Sequence, residues 1–274
     1  MRILLTNDDG ITAPGIVALH SELRALGEVL PIAPLSAQSA SGHGVTFALP
    51  LLTREVQVSA EMSGIGVEGR PADCVKLAIT SLWPQRFGGQ PDLVVSGLNS
   101  GANVGINVLY SGTVAAAVEA AFLGIPAIAC SLHLHKRRGQ DPGHPEVSSA
   151  ARYDVAARHA RLVIERCLRR GIAGAIGPHT LLNINIPVTE SDGPCPPIRV
   201  VPMNLAAIRD AYDQRRSPAG QPYYWASGHG LDFLHTAEGS DAEAIFARCI
   251  AVTPLHFDMT DHTRLALWRE RLAD

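Results

Sequence analysis

A chain of 274 residues, 46% hydrophobic and 18% charged, is long enough to bury a full core as one large domain with at most a smaller appendage. Its formal net charge of -3 and isoelectric point near 6.4 supply no basic field, so neither a nucleic-acid polymer nor an anionic membrane is an expected partner. Only Ile3, Leu4 and Leu5 separate Arg2 from the first polar cluster, too short for a secretory signal, and no later apolar run is of spanning length; the expectation is a cytoplasmic protein.

Ile3 to Thr6 reads as a buried strand that delivers Asn7, Asp8 and Asp9 to its carboxyl end, where Gly10 turns the backbone. Ile16, Leu19, Leu23 and Leu26 follow at helical spacing, and Gly27 closes the helix. Val29 to Ala33 is a short apolar strand, which Pro31 assigns to an irregular or edge position. A loop over 35–44 carries Ser36, Gln38, Ser39, Ser41 and His43, and the stretches 45–52 and 56–68 read as extended. Pro71 opens a second helix, with Asp73 in its first turn and an end near Trp83.

Leu93 to Val95 is apolar without alternation, as in a parallel strand buried on both faces, and the Gly- and Asn-rich run 96–107 reads as a loop. Ser111, Gly112 and Thr113 start an alanine-rich helix that Gly124 and Pro126 end, and Ala127 to Ser131 is the next strand. Residues 133–150 form a polar insertion in which His133, His135 and His144 match no familiar metal spacing. A helix over 153–170 and a strand over 181–186 complete the alternation. The order predicts an α/β fold, a doubly wound Rossmann-like and mostly parallel sheet over 1–190. Residues 191–274, with strands at 198–201 and 250–253, the aromatic run Tyr223, Tyr224 and Trp225, and a closing helix over 263–272, read as a smaller β-rich arm for oligomerisation. Five widely spaced cysteines among apolar neighbours fit reduced packing residues.

In a parallel sheet the residues following each strand lie on one rim, and ligands bind where strand order reverses. That rule gathers Asn7, Asp8 and Asp9 with Ser39, Asn99 and Ser131. Asp-Asp-Gly is also ordinary turn chemistry, and both readings stand for these residues alone. Asp8, Asp9, Ser39 and Asn99 offer only oxygen donors, a set suited to a hard divalent cation such as Mg²⁺, Mn²⁺ or Ca²⁺. Ser111, Gly112 and Thr113 place backbone N–H groups and hydroxyls at a helix N-terminus, which serves either as a cap or as a phosphate seat. Asp8 and Asp9 are the candidate catalytic carboxylates; Asn7, Asn99, Asn103, Ser111, Gly112 and Thr113 are the candidate substrate contacts. His43 is a further proton-donor candidate. A receiver-type signalling module would share the acidic pair but needs a Lys after its last strand, and the rim residue here is Ser131 beside Cys130.

The blocks Ile3–Gly10, Ala33-Pro34 with Ser39, Gly69 with Pro71–Val75, Pro91–Asn99, Tyr110–Val114, Asn183–Pro187 and Thr253–Leu255 together resemble SurE, the survival-protein acid phosphatases that act as 5′/3′-nucleotidases. The resemblance implies that Asp8, Asp9, Ser39 and Asn99 hold one divalent metal, Mg²⁺ or Mn²⁺. It further implies nucleoside monophosphates, and in some members short polyphosphate, as substrates, and a homodimer or homotetramer whose C-terminal parts exchange contacts. Arg70 stands where that pattern has Thr, and Arg248-Cys249 replaces its Gly-Tyr.

Overall fold

The first strand, β1 (Arg2–Thr6), is apolar without interruption because both of its faces are covered. Ile3 and Leu5 belong to one hydrophobic cluster with Leu19, Val95 and Val163, whereas Leu4 belongs to a second with Val75, Val94 and Val114. The structure is a computed structural model that describes residues 1–134, 153–169, 171, 176–177, 179–188, 193–227 and 230–273. Helices α1 (Pro14–Leu23) and α5 (Tyr153–Leu168) cover the first face; α2 (Pro71–Leu77), α3 (Trp83–Phe87) and α4 (Gly112–Phe122) cover the second. Pro14 and Pro71 stand at helix starts, where a missing N–H leaves no intrahelical bond unmade.

The described residues build a sheet in the order β3 (Thr53–Gln57), β4 (Ser63–Val67), β2 (Glu28–Pro34), β1, β5 (Leu93–Ser100), β6 (Ala127–Leu132), β7 (Thr180–Ile186), β11 (Ile250–His256) and β8 (Ile198–Val200). Pairing is antiparallel at β3/β4 and β7/β11 and parallel elsewhere. The chain winds outward from β1 through β2 and β4, then returns to the other side of β1 at β5 and winds on through β6 and β7. Strand order therefore reverses between β1 and β5, with Leu4 opposite Val94 and Thr6 opposite Ser96. A doubly wound, mostly parallel α/β sheet is what the alternation of elements predicted.

Three local readings need correction. β2 lies inside the sheet, between β1 and β4; Pro31 is tolerated there because pairing with β4 begins only at Ile32, so the proline opens that ladder without interrupting it. β5 does not stop at Val95. Its polar end stays extended to Ser100, and after a register shift Asn99 and Ser100 pair with Ser131 and Leu132. Residues 45–52 contain no strand, and the extended region begins at Thr53. The insertion expected over 133–150 lies outside the described residues from 135 onward, as do His135, His144 and Arg170.

Past residue 190 the sheet continues, since β8 and β11 complete its far edge. The hairpin of β9 (Tyr212–Arg216) and β10 (Pro222–Ala226) stands off it with every residue exposed. Two short helices, α6 (Asp241–Phe246) and α7 (Leu265–Arg271), follow, and α7 has no buried residue. All five cysteines are free thiols. Among the described residues no helix is long and apolar enough to cross a membrane.

Asp241 ties this terminal region to the rim. Its buried carboxylate accepts the N–H groups of Asn204, Gly105 and Ala242, each at 2.8 Å, and Gly105 belongs to the loop leaving β5. An Asp241→Asn amide retains one acceptor oxygen and turns its NH₂ toward a buried N–H. That change should lower stability by about 2–3 kcal/mol, measured as a fall in the urea midpoint at unchanged slope.

Candidate functional site

The tip of β1 is shaped by Asn7. Its Nδ2 donates to the Gly10 carbonyl at 2.9 Å and its Oδ1 accepts the Gly10 N–H at 3.2 Å, so both ends of the buried amide close the turn. In this structure the Asn7 amide is engaged with Gly10 at both its nitrogen and its oxygen. Asp8 follows, 6% exposed, and Asp9 is half-buried. Three other segments are bonded to this pair. Thr113 Oγ1 at the start of α4 donates to Asp8 Oδ1 at 2.5 Å; the Ser100 N–H at the end of β5 donates to Asp9 Oδ2 at 3.0 Å; the Gln38 N–H in the loop after β2 donates to the Asp8 carbonyl at 2.7 Å. Those last two bonds bring Asn99 and Ser39, the neighbours of Ser100 and Gln38, to the same rim.

Backbone N–H groups of Asp8 and Thr113 add to the hydroxyl bond on Asp8, and the Ser100 hydroxyl adds to its N–H on Asp9. Asn99 donates through Nδ2 to the Gly101 carbonyl at 2.7 Å, which leaves its Oδ1 free, and Ser39 is exposed on a turn. Burial, reinforced by the charge of Asp9 and opposed by the Thr113 hydroxyl, pushes the Asp8 carboxyl up to about 6. Burial also raises Asp9, against the bonds from Ser100. Both shifts run in the direction that a bound cation reverses. No group of three or more His, Cys, Asp or Glu suited to a metal occurs among the described residues. A cation at this rim would therefore rest on two carboxylates and neutral oxygens, a donor set that fits Mg²⁺ or Mn²⁺ and does not fit zinc.

The start of α4 differs in detail from the simple phosphate seat. Ser111 Oγ accepts the Val114 N–H at 3.1 Å, an N-cap, and the Thr113 hydroxyl is given to Asp8. What remains for an anion are the backbone N–H groups at the helix N-terminus and the proton of the Ser111 hydroxyl. Gly112 lets the helix abut β1: a Cβ there would fall 2.8 Å from Asp8 Cβ and 3.0 Å from Ser41 Oγ. Ser41 Oγ is buried without a partner beside the acid pair, and the sequence reading did not single it out. Its only signal was a place two residues after Ser39.

Asn103 sits elsewhere on the rim. Its Nδ2 donates to Ser131 Oγ at 2.9 Å, its N–H to Asn185 Oδ1 at 2.7 Å, and its carbonyl accepts from Asn183 and Asn185. It laces the β5 exit to the ends of β6 and β7. His43 pairs with buried Glu119 at 2.8 Å and stacks on Phe122, with Lys76 on the other Glu119 oxygen. Glu119 lies seven residues along α4 from Gly112, so the pair braces the loop carrying His43 onto the middle of that helix. Tyr153 was missed: its hydroxyl meets Ser100 Oγ at 2.9 Å, one residue from Asn99, and burial raises it. Tyr223, Tyr224 and Trp225 are exposed on β10, and His133 packs against Phe246.

A reversal crevice furnished with paired carboxylates, neutral oxygens and a helix N-terminus defines a Rossmann-like, doubly wound α/β protein. The family model described as Survival protein SurE matches residues 3–209. The chain is 42% identical over 261 residues to the 5'-nucleotidase SurE of Rhodopirellula baltica, covering 95% of this chain and 94% of that protein. It is also 42% identical over 264 residues to the 5'-nucleotidase SurE 1 of Thermus thermophilus, at 96% and 94% coverage. The crystal structure of the SurE protein from Aquifex aeolicus superposes with a TM-score of 0.78 at 32% identity, over 99% of each chain. The chain belongs to the SurE family.

The raised carboxyl of Asp8 has a consequence in the metal-free protein. Its folded value near 6 exceeds the unfolded carboxylate value of about 3.9, so the group loses stability for the fold as pH rises from about 4 through 6. Asp8→Asn removes that penalty. With chelator present, the variant should melt above the wild type at pH 7.5, by up to about 3 kcal/mol, and level with it at pH 4.

Proposed function

We propose that the chain is a metal-dependent phosphomonoesterase that hydrolyses nucleoside 5′-monophosphates to nucleoside and phosphate, with 3′-monophosphates and short polyphosphate as further substrates. The observation that carries this reading is the Thr113–Asp8 bond, which locks an anion-ready helix start onto the acid pair. The curated relatives named above are 5'-nucleotidases, which supports the same activity.

Asp8, Asp9, Ser39 and Asn99 would hold one divalent cation, Mg²⁺ or Mn²⁺. Such a cation supplies Lewis-acid polarisation of a phosphoryl oxygen and an acidified water. The N–H groups that open α4, with the Ser111 hydroxyl, receive phosphoryl oxygens and favour charge that builds there during displacement. Thr113 fixes Asp8 through Oδ1. Asp9, half-buried and less enclosed than Asp8, is the carboxylate better placed to accept a proton. Residues 1–190 form the catalytic part in this reading. Residues 191–274 serve association as a homodimer or homotetramer, supported by the exposed Tyr223, Tyr224 and Trp225 and by an α7 with no buried residue. Free thiols throughout suit a reducing compartment, and we place the protein in the cytoplasm.

The test is hydrolysis of a panel of nucleoside monophosphates and p-nitrophenyl phosphate by chelator-treated protein, with Mg²⁺, Mn²⁺ or neither. Phosphate release should require added metal. Asp8→Asn should lower kcat by about a thousandfold or more. A wild-type rate in that variant, or full activity without metal, rejects the scheme. A receiver-like or nucleotide-binding module would bind without turnover.

A further inference from the structure

A cleft of about 590 Å³ opens between the loop after β2 and the β3–β4 ladder. Ser36 and Gln38 line one side; Thr46, Arg54, Glu68 and Arg70 line the other. Its position follows from the loop itself, because the Gln38 N–H bonds the Asp8 carbonyl at 2.7 Å and Ser39 is the next residue. A group anchored by its phosphate at the rim therefore extends naturally into this space, whose volume lies in the range of small-molecule sites.

The polar wall is built. Asp73, 2% exposed, accepts the Arg70 N–H at 2.9 Å, the Thr46 N–H at 2.7 Å and the Thr46 hydroxyl at 2.7 Å, so one carboxylate fixes both segments. The Arg70 guanidinium packs on Gly44, where a Cβ would fall 2.0 Å from Nη1 and displace the side chain from this position. Arg54 stands opposite Gly66 in the β3–β4 register, and Glu68 two residues on shares that face of the ladder. Among the described residues neither guanidinium makes an ion pair, and Glu68 makes none. Two donor forks and one acceptor thus face a common space unspent.

We propose that this cleft holds the nucleobase of the substrate and that Arg54, Arg70 and Glu68 select a 6-oxopurine, guanine or hypoxanthine, over adenine and the pyrimidines. The proposal rests on the phosphomonoesterase reading. Arginine donors match O6 and N7, the paired acceptors on one edge of a 6-oxopurine. A carboxylate matches its N1–H and, in guanine, the 2-amino group. Adenine presents an amino donor at the 6-position, which would face guanidinium donors with no acceptor between them, and such unpaired polar contact is what gives hydrogen-bonded sites their selectivity. A pyrimidine has no N7 beside its ring carbonyl or amino group, so it cannot offer the paired acceptors that both guanidinium groups match.

The experiment measures kcat and KM with Mn²⁺ for GMP, IMP, AMP, CMP, UMP and p-nitrophenyl phosphate, in the wild type and in Arg54→Met, Arg70→Met and Glu68→Gln. Methionine retains the apolar stem and removes the donors. The wild type should show kcat/KM for GMP and IMP at least tenfold above AMP. Each arginine variant should lose tenfold more on GMP than on p-nitrophenyl phosphate, chiefly through KM, and Glu68→Gln should affect GMP more than IMP. A wild type indifferent to the base, or variants that fall equally on every substrate, overturns the subsite while leaving the phosphatase intact. If the wild type hydrolyses nothing, calorimetric binding of GMP and AMP decides. Arg70-dependent preference for GMP then sustains the subsite and rejects the phosphatase reading, and base-indifferent binding overturns the subsite as well.

Discussion

Two neighbouring carboxylates at the end of a buried central strand repel each other and resist ionisation, and the structure answers that constraint with fixed donors from three directions. Thr113 gives its hydroxyl to Asp8, Ser100 gives its backbone N–H to Asp9, and Gln38 holds the Asp8 carbonyl. These bonds do not neutralise the pair, since burial still carries Asp8 up to about 6. They orient it. A tip whose ionisation burial opposes in this way is the electrostatic state that a hard cation relieves.

The topology explains why the donors come from these particular segments. Because strand order reverses between β1 and β5, no crossover helix covers the gap at their carboxyl ends, and the loops that leave β2 and β5 must border it. Helix α4 then returns over the second face with its N-terminus at the gap, and Gly112 lets it come close enough for Thr113 to reach Asp8. Asn103 and Asp241 work at a further remove. The first binds the β5 exit to β6 and β7, and the second binds it to the C-terminal region, so the loop carrying Asn99 is held from both sides.

The strands at the centre were legible because burial on both faces writes a continuous apolar run, as in Ile3–Leu5 and Leu93–Val95, and the helices because their apolar residues recur at three and four. The rim was legible through a topological rule that needs only strand order. What the sequence could not reveal were roles set by neighbours. Ser96 to Ser100 looks like loop by composition, yet β6 pairs with Asn99 and Ser100 after β1 has ended opposite Ser96 and keeps the segment extended. Pro31 looks like an edge residue until the neighbouring ladder is seen to start after it. Asn7, Thr113 and Asn103 have the chemistry of substrate contacts, and their side chains are instead occupied by Gly10, Asp8 and Ser131. A side chain's donors are visible in sequence; their recipients are not.

This division between holding and acting bears on how specificity arises within a shared centre. Asp73 shows the pattern most plainly: it touches no rim residue, yet by gripping the Arg70 backbone and both donors of Thr46 it fixes a wall of the cleft whose other side is the Gln38 loop. Arg70 departs from the usual Thr of the resembling pattern, but the backbone N–H that Asp73 holds is present whatever the side chain is. The cap geometry can therefore stay constant while the group projecting into the cleft varies. A fold arranged this way keeps the rim that carries Asp8 and Asp9 and the Asp73-held wall on separate sets of hydrogen bonds, so the side chain at position 70 can change without disturbing either.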